Sequence, residues 1–460
     1  MGSSSEAKLA TWQIDATRHR TLSVPGVLKA MVIALSITLL QVAVMLVLAA
    51  NKDDGVPGET AYESLCQWDG HLYARLVRDG YRTTIPPTAS IDFEGSNVAF
   101  FPGYPLCTYT LRQLSGGRLT IKSSLALAAQ LSAFGFWTYW LLMLRRFRTP
   151  RAAGLILTAA VALHPASYYL VTAYSESLFL VATLGFFYWL SDPAPRRRLW
   201  AVPHGIVMSG ARLGGLPVAM VPLFAQIGVE FAPAFYTAWC NRAVTGGWKQ
   251  TKAAFYRSTL AAWNDRRRLA RLALLGFAAS LGGLAFFAYC QWRFGHWNLY
   301  FMTQAEGATV AADWIWFLRP RSYIFIGSLL YSHIDWPDDL SRLCVGLCLV
   351  LFVVFAKWEY RRVAAGDTSW PQRLPYYLCA VGLCFLHAAG VSPILMQSFF
   401  RYSLIVFVML LLALAQGCGA GQVPAWLERP RWALLSGIGI ALAGLQVALA
   451  MRYFSHQWVA

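Results

Sequence analysis

Apolar runs of about 20 residues recur along this chain from Val27 to Arg452, and no other feature limits its fold as strongly. A run of that length crosses a bilayer as a helix, because its backbone polar groups pair within the segment. Eleven such runs stand out, near 27–50, 123–144, 151–171, 173–191, 199–213, 215–238, 271–292, 341–357, 372–392, 402–418 and 431–452. Of the 460 residues 57% are hydrophobic and only 13% charged, whereas a water-soluble domain carries about 25% charged residues. A secreted disulfide scaffold, a collagen-like chain and a disordered chain are all excluded. The sequence predicts an all-α polytopic membrane protein, one integral domain over 1–460 with about eleven transmembrane helices. No strand periodicity and no short-period repeat compete with that reading.

The net charge of +17 is distributed unevenly. With the N-terminus in the cytoplasm, the inside segments 1–29, 145–151, 192–198, 230–271, 357–373 and 420–432 carry 25 Lys and Arg against 8 Asp and Glu. The rest of the chain carries 14 of each, so the whole excess falls on one side, as the positive-inside asymmetry requires. The clusters Arg145/Arg146/Arg148, Arg196–Arg198 and Arg266–Arg268 are explained by topology and anionic headgroups, and no nucleic-acid partner is called for. The first span is too long, and lacks the small-residue cleavage site, for a removable signal peptide. Glu6 breaks the myristoylation pattern after Gly2. Nine cysteines are scattered mostly within or beside the spans and read as small core residues. They form no CxxC pair and no metal-ligand spacing, so no metal is predicted; Cys66 and Cys107 share an outside segment, where a disulfide stays open. The chain has no Asn-x-Ser/Thr sequon, which favours a bacterial inner membrane over the endoplasmic reticulum.

The outside segment from Asn51 to about Lys122 is too long to be a mere connection. Within it, Ser64 to Tyr81 reads as one amphipathic helix lying in the outer interface, with Leu65, Trp68/Asp69, Leu72/Tyr73 and Leu76 on its apolar stripe and Gly80 as its stop. A carboxylate on an apolar stripe loses hydration, which makes it a stronger proton acceptor unless a partner compensates. The alternative is that Asp69 only caps the first turn. Farther on, Ala99-Phe100-Phe101-Pro102-Gly103-Tyr104-Pro105-Leu106 is too rich in Pro and Gly for a regular helix, and its aromatics fit an interfacial belt as well as a binding surface.

A third outside element runs from His164-Pro165 to Tyr174-Ser175-Glu176-Ser177, where Glu176 either matches the dipole of a helix start or lines a cavity with Asp69. Arg212 interrupts an apolar stretch between Gly210 and Gly214-Gly215. Arginine at membrane depth costs about 2.5–3.5 kcal/mol on insertion scales, so it faces a cavity or a partner. Arg401, before Tyr402 at the mouth of the tenth span, either does the same or snorkels.

Taken in order, these motifs resemble a known family. Trp68-Asp69-x-x-Leu72-Tyr73, which ends in Leu-Tyr where many members of the family have His-Phe-like residues, Gly80-Tyr81, Ala99-Phe100-Phe101-Pro102-x-Tyr104-Pro105, Tyr174-Ser175-Glu176-Ser177-Leu178-Phe179, Arg212-x-x-Gly215, Phe294-Gly295 with Gln304 downstream, Arg401-Tyr402 and the terminal Trp458-Val459-Ala460 look like the PIG-V family, GPI mannosyltransferase II and its bacterial relatives. The resemblance implies a GT-C glycosyltransferase fold. It implies an enzyme that takes a sugar, mannose in the eukaryotic members, from a polyprenyl-phosphate donor on the non-cytoplasmic side and inverts the linkage. Asp69 then corresponds to the general base.

Inverting transfer needs one base for the acceptor hydroxyl and positive charge for the departing phosphate. Arg212 and Arg401 suit that second task by location, and Glu176 and Tyr174 suit the orientation of a sugar hydroxyl. Trp68, Phe101 and Tyr104 would stack on a sugar or hold the lipid chain, and His71, Gln304 and Tyr402 complete the expected substrate contacts. No cofactor is implied, and the Asp338-Asp339 dyad reads as solvated. The partners expected are the lipid-linked sugar, a lipid or glycan acceptor and the bilayer. A transporter or lipid flippase binding an anion through the same charged residues is the competing class, although the two related halves common in secondary transporters are not evident.

Overall fold

The computed structural model describes residues 24–51, 59–87, 96–241, 247–306, 315–319, 336–391, 398–421, 423–424, 427 and 431–455. Regular structure among them is helical throughout, apart from one isolated antiparallel bridge between Thr83 and Ser96. In chain order the helices are α1 (Val24–Ala50), α2 (Asp69–Asp79), α3 (Gly103–Leu114), α4 (Ile121–Arg146), α5 (Arg151–Ala162), α6 (Glu176–Leu190), α7 (Pro195–Arg198) and α8 (Ala201–Ala211). They continue as α9 (Gly215–Asn241), α10 (Gly247–Asn264), α11 (Arg266–Phe294), α12 (Leu299–Glu306), α13 (Trp336–Ala364), α14 (Trp370–Val391), α15 (Phe399–Gly419) and α16 (Trp432–Phe454). Among the described residues, seven helices are long and apolar enough to cross a membrane, within α1, α4, α9, α11, α13, α15 and α16. The chain is therefore an all-α, multi-pass membrane protein.

Two helices form the centre. A helix that is hydrophobic all round belongs in a core or in lipid, and α6 buries 13 of its 15 residues in the protein while α15 buries 17 of its 21. Around them α4 packs on α6, α6 on α8, α8 on α11, α11 on α9, α9 on α14, and α14 on α15. Lipid-facing apolar side chains cover the outer helices instead, as on α1 (Leu35, Leu39, Leu40) and α16 (Leu434, Ile438, Ile440).

The helix ends sort into two faces. At one, Arg146 of α4 pairs with Asp192 beyond α6 at 3.5 Å, Thr149 donates to the Ala415 carbonyl of α15 at 3.1 Å, and Gln416 donates to Gln372 of α14 at 3.1 Å. This is the face that carries the Arg145–Arg148 and Arg196–Arg198 clusters. Part of its charge is neutralised inside the protein: Arg146 is buried, and Arg373 is fully buried against Glu359 and Asp367. At the opposite face α2 begins, α6 begins, α8 ends and α15 begins. Gly135 of α4 lies against Val181 of the parallel α6, which sets Glu176 level with about residue 130 of α4. At 1.5 Å per residue that is about 13 Å in from the start of α4.

Several local expectations are corrected. The helix expected over Ser64 to Tyr81 is broken: a 3-10 turn at Glu63–Leu65 is followed by α2, which starts only at Asp69. The side chains α2 buries are those of Tyr73 and Leu76, and it packs on α3 and α4, so its inner face meets the bundle. The stretch Ala99–Leu106 is helical from Gly103 onward, because Pro105 falls in the first turn of α3, where the missing N–H has no partner to lose. The expected span 151–171 stops at Ala162, since Pro165 bars the helix from continuing, and resumes only as a 3-10 turn at Ser167–Leu170. Asp339 is buried with Arg342 3.5 Å away, not solvated. Cys66 and Cys107 are both free, and burial pushes the Cys66 thiol up to about 12.

A close crossing joins α8 and α11. A Cβ on Gly282 would lie 2.0 Å from the Ile206 carbonyl oxygen and 2.8 Å from the Gly210 nitrogen. Overpacking of this kind costs about 1–3 kcal/mol, so Gly282→Ala should lower the thermal unfolding temperature of the purified protein in detergent. Gly437→Ala, with nothing within 4 Å of the new methyl, should not.

Candidate functional site

The site is assembled from four segments. The chain enters it at Leu65, whose carbonyl accepts from the Ala173 N–H at 3.0 Å, so that the segment before α2 is fastened to the segment before α6. Tyr453 near the end of α16 donates to the same carbonyl at 3.0 Å and accepts from the Gln67 N–H at 3.1 Å. Trp68 then adopts φ 53° and ψ −118°, a left-handed conformation that costs a non-glycine residue about 1–3 kcal/mol. Its effect is to start α2 at Asp69 with the carboxylate turned toward the bundle.

The second segment is the start of α6, Ser175-Glu176. The third is the break between α8 and α9, where Arg212 is extended (φ −156°, ψ 150°) and the chain folds straight back. That reversal needs Gly215, because a Cβ there would sit 2.4 Å from the Met208 carbonyl oxygen. The fourth is the first turn of α15, which carries Arg401 and Tyr402.

Four charged side chains meet here with alternating sign. Arg401 Nη1 donates to Asp69 Oδ2, a contact across 332 positions of sequence. Arg401 Nε lies 3.7 Å from Glu176 Oε1, and Arg212 Nη2 donates to that same oxygen at 2.5 Å. Glu176 is fully buried, and the other three side chains are 9–13% exposed. A polar frame holds them. Arg212 Nε donates to Ser175 Oγ at 3.0 Å, and Tyr73 OH donates to the same oxygen at 3.0 Å. The guanidinium of Arg401 lies 5.4 Å from the Tyr174 ring centre and 5.1 Å from that of Tyr402, and Arg212 lies 5.0 Å from Tyr402. His387 of α14 stacks on Tyr402 at 4.2 Å. Burial raises the Tyr73 and Tyr300 phenols above their ordinary range, with Arg212 acting in the opposite direction, so both remain hydrogen-bond donors.

The residues expected from sequence divide into two groups. Asp69, Glu176, Arg212, Arg401, Tyr174 and Tyr402 are brought together. Trp68 adjoins the group and is half-buried against the core. His71 turns to Gln67, whose Oε1 is 3.0 Å from its Nε2. Tyr104 is one layer removed: it packs edge-on against Tyr73 at 5.0 Å and donates to the Leu125 carbonyl at 2.7 Å. Phe101 is enclosed by Phe286, Phe287 and Tyr300, and Gln304, exposed, donates to the Ala99 carbonyl at 3.3 Å. Two motif glycines act on the backbone: Gly80 at φ 72° closes α2, and Gly295 at φ 78° ends α11. Trp458-Val459-Ala460 lies outside the described residues.

Tyr73, Ser175 and His387 were missed. Tyr73 was signalled by its i+4 spacing from Asp69, and His387 by being a polar residue inside an apolar span. The partner that compensates Asp69 on its stripe, left open by the sequence, is Arg401. Among the described residues no group of three or more His, Cys, Asp or Glu is placed to hold a metal ion. Comparison with protein-family models and with curated proteins finds no match to this chain.

Removing one partner of a buried ion pair costs about 3–5 kcal/mol, because the other charge is left alone. Glu176→Ala leaves Arg212 and Arg401 facing each other and should melt well below the wild type in detergent. Glu176→Ala combined with Arg212→Met should recover part of the loss. Additive losses would show that the two side chains are not coupled.

Proposed function

We propose that this protein is an inverting GT-C type glycosyltransferase that moves mannose from a polyprenyl-phosphate-mannose donor to a lipid or glycan hydroxyl on the non-cytoplasmic face of the membrane. The supporting observation is the convergence of Asp69, Glu176, Arg212 and Arg401 from four distant segments into one buried, charge-alternating cluster. All four belong to the motifs that resemble the PIG-V family. The surplus of Lys and Arg at the opposite face supports a cytoplasmic N-terminus, with the cluster toward the periplasm or lumen. A bacterial inner membrane is the favoured setting.

In this reading the acceptor oxygen attacks the anomeric carbon as its proton passes to Asp69. The bond from that carbon to the phosphate oxygen breaks, and its electron pair leaves with the phosphate, which goes from monoanion to dianion. Arg212 and Arg401 stabilise that developing charge, while Glu176 and Tyr174 orient sugar hydroxyls. No step calls on a cofactor or metal. The Asp69–Arg401 contact adds a condition: a phosphate arriving at Arg401 competes with Asp69 for it, and the carboxylate is freed toward the acceptor as the donor binds.

The test uses the full chain in nanodiscs with labelled polyprenyl-phosphate-mannose and a panel of lipid and glycan acceptors. Asp69→Asn should reduce transfer by at least about 100-fold, the usual scale for a lost general base. The same variant should bind polyprenyl phosphate more tightly than the wild type, because Arg401 loses its competitor, whereas Arg401→Ala and Arg212→Ala should bind it more weakly. Equal transfer by wild type and Asp69→Asn would remove Asp69 as base. No product with any donor, together with solute uptake into vesicles, would favour a transporter.

A further inference from the structure

The α9–α10 hairpin lies at the basic face, far from the charged cluster. α9 continues beyond Glu230 through Phe231–Cys240 without a charged residue. After it turns, α10 runs back along α9, with Phe255 against Phe231 and Phe235 at 6.4 and 5.4 Å. It joins α11 through the single residue Asp265. α10 turns its small residues inward: Gly247, Thr251, Ala254 and Ser258 are the side it buries. Its large aromatics face outward, with Trp248 67%, Tyr256 66% and Trp263 64% exposed. A helix facing only water or only its neighbour would reverse that arrangement.

At 3.6 residues per turn, Trp248, Lys249, Lys252, Tyr256, Leu260 and Trp263 fall within an arc of about 120°. The ammonium of Lys252 lies 5.3 Å from the Trp248 ring centre, and the Arg266 guanidinium lies 5.1 Å from that of Trp263. α10 itself holds Lys249, Lys252 and Arg257 and no acidic residue. Its mean composition is too polar to span a bilayer, yet it is tied at one end to α11, which is apolar enough to do so. Phe235 of α9, 62% exposed, extends the apolar surface onto the other strand of the hairpin.

We propose that α10, packed along the inner end of α9, turns its aromatic and basic arc to the headgroup layer of the membrane and binds anionic phospholipid headgroups there. Aromatic rings with one apolar body and one polar edge settle at the headgroup level, and lysines among them reach the lipid phosphates. The positive charge of the arc matches an anionic leaflet, and each basic residue adds to the attraction near that surface. The proposal does not depend on what the charged cluster does.

A fluorescent amino acid can be placed at position 256, on the arc, or at position 250, off it, in the full chain in nanodiscs of phosphatidylcholine with or without phosphatidylglycerol. Headgroup-region brominated lipid should quench the label at 256 at least twofold more in the phosphatidylglycerol discs, and should leave the label at 250 unaffected. Lys249→Glu with Lys252→Glu, both exposed and so tolerable to the fold, should abolish the difference. Equal quenching in both lipids would overturn anionic recognition. No quenching in either would overturn docking on the membrane, as would a doubled mass with the label at 256 shielded, which would make a second copy of the chain the occupant.

Discussion

Charged groups withdrawn from water into an apolar bundle must be arranged so that each faces its opposite, and the order Asp69, Arg401, Glu176, Arg212 satisfies that requirement. Much of the surrounding structure serves it. Arg401 stands in the first turn of α15, where the helix dipole disfavours a cation, so the carboxylates of Asp69 and Glu176 offset an unfavourable position. Glu176 opens α6, where the dipole favours it, but it is fully buried and needs two guanidinium groups. Each central helix thus begins with a charge that is offset chiefly by a residue from outside the pair, Arg212 for Glu176 and Asp69 for Arg401, and α2 and the α8–α9 reversal bring those two residues in.

The depth of the cluster follows from the same geometry. α4 begins about 13 Å above the level of Glu176 at 1.5 Å per residue, so the cluster is recessed below the ends of the longest spans. α2 reaches it as a short helix that buries Tyr73 and Leu76 against the bundle, and the segment before it is fastened by the Ala173 N–H to the Leu65 carbonyl and by the Tyr453 hydroxyl, which accepts from the Gln67 N–H. The left-handed turn at Trp68 is the local strain that this placement entails.

What the sequence made legible was each charge that is costly where it stands. Arg212 and Arg401 were conspicuous against apolar runs, and Asp69 against its stripe, because hydropathy reports the penalty directly. The pairings were not legible: nothing local links position 69 with 401, and only the fold brings them within hydrogen-bonding reach. Helix limits were misread where proline has two meanings. Pro105 is harmless in the first turn of α3, whereas Pro165 ends the run from Arg151, and composition alone does not distinguish the two. Trp68 gave no signal either, since a left-handed residue in the middle of an amphipathic pattern is invisible to periodicity.

The protein contains a second buried charge cluster, at the basic face. There Arg373 donates from Nε and Nη2 to both oxygens of Glu359 at 2.7 Å, to Asp367 at 2.6 Å and to Ser369 Oγ at 2.7 Å, while Tyr377 donates to Glu359 Oε1 at 2.8 Å. Every nitrogen of that guanidinium is used, which is what a cluster needs if its task is to hold α13 to α14. The cluster around Glu176 is less complete. Glu176 Oε2 and Arg401 Nε are buried without a hydrogen bond, and the two arginines divide one carboxylate oxygen between them. Native interiors leave few buried polar atoms without a partner, and each one calls for an explanation. Arg373 is thus fully bonded where it stands, while Glu176 and Arg401 each keep one buried polar atom with bonding capacity left.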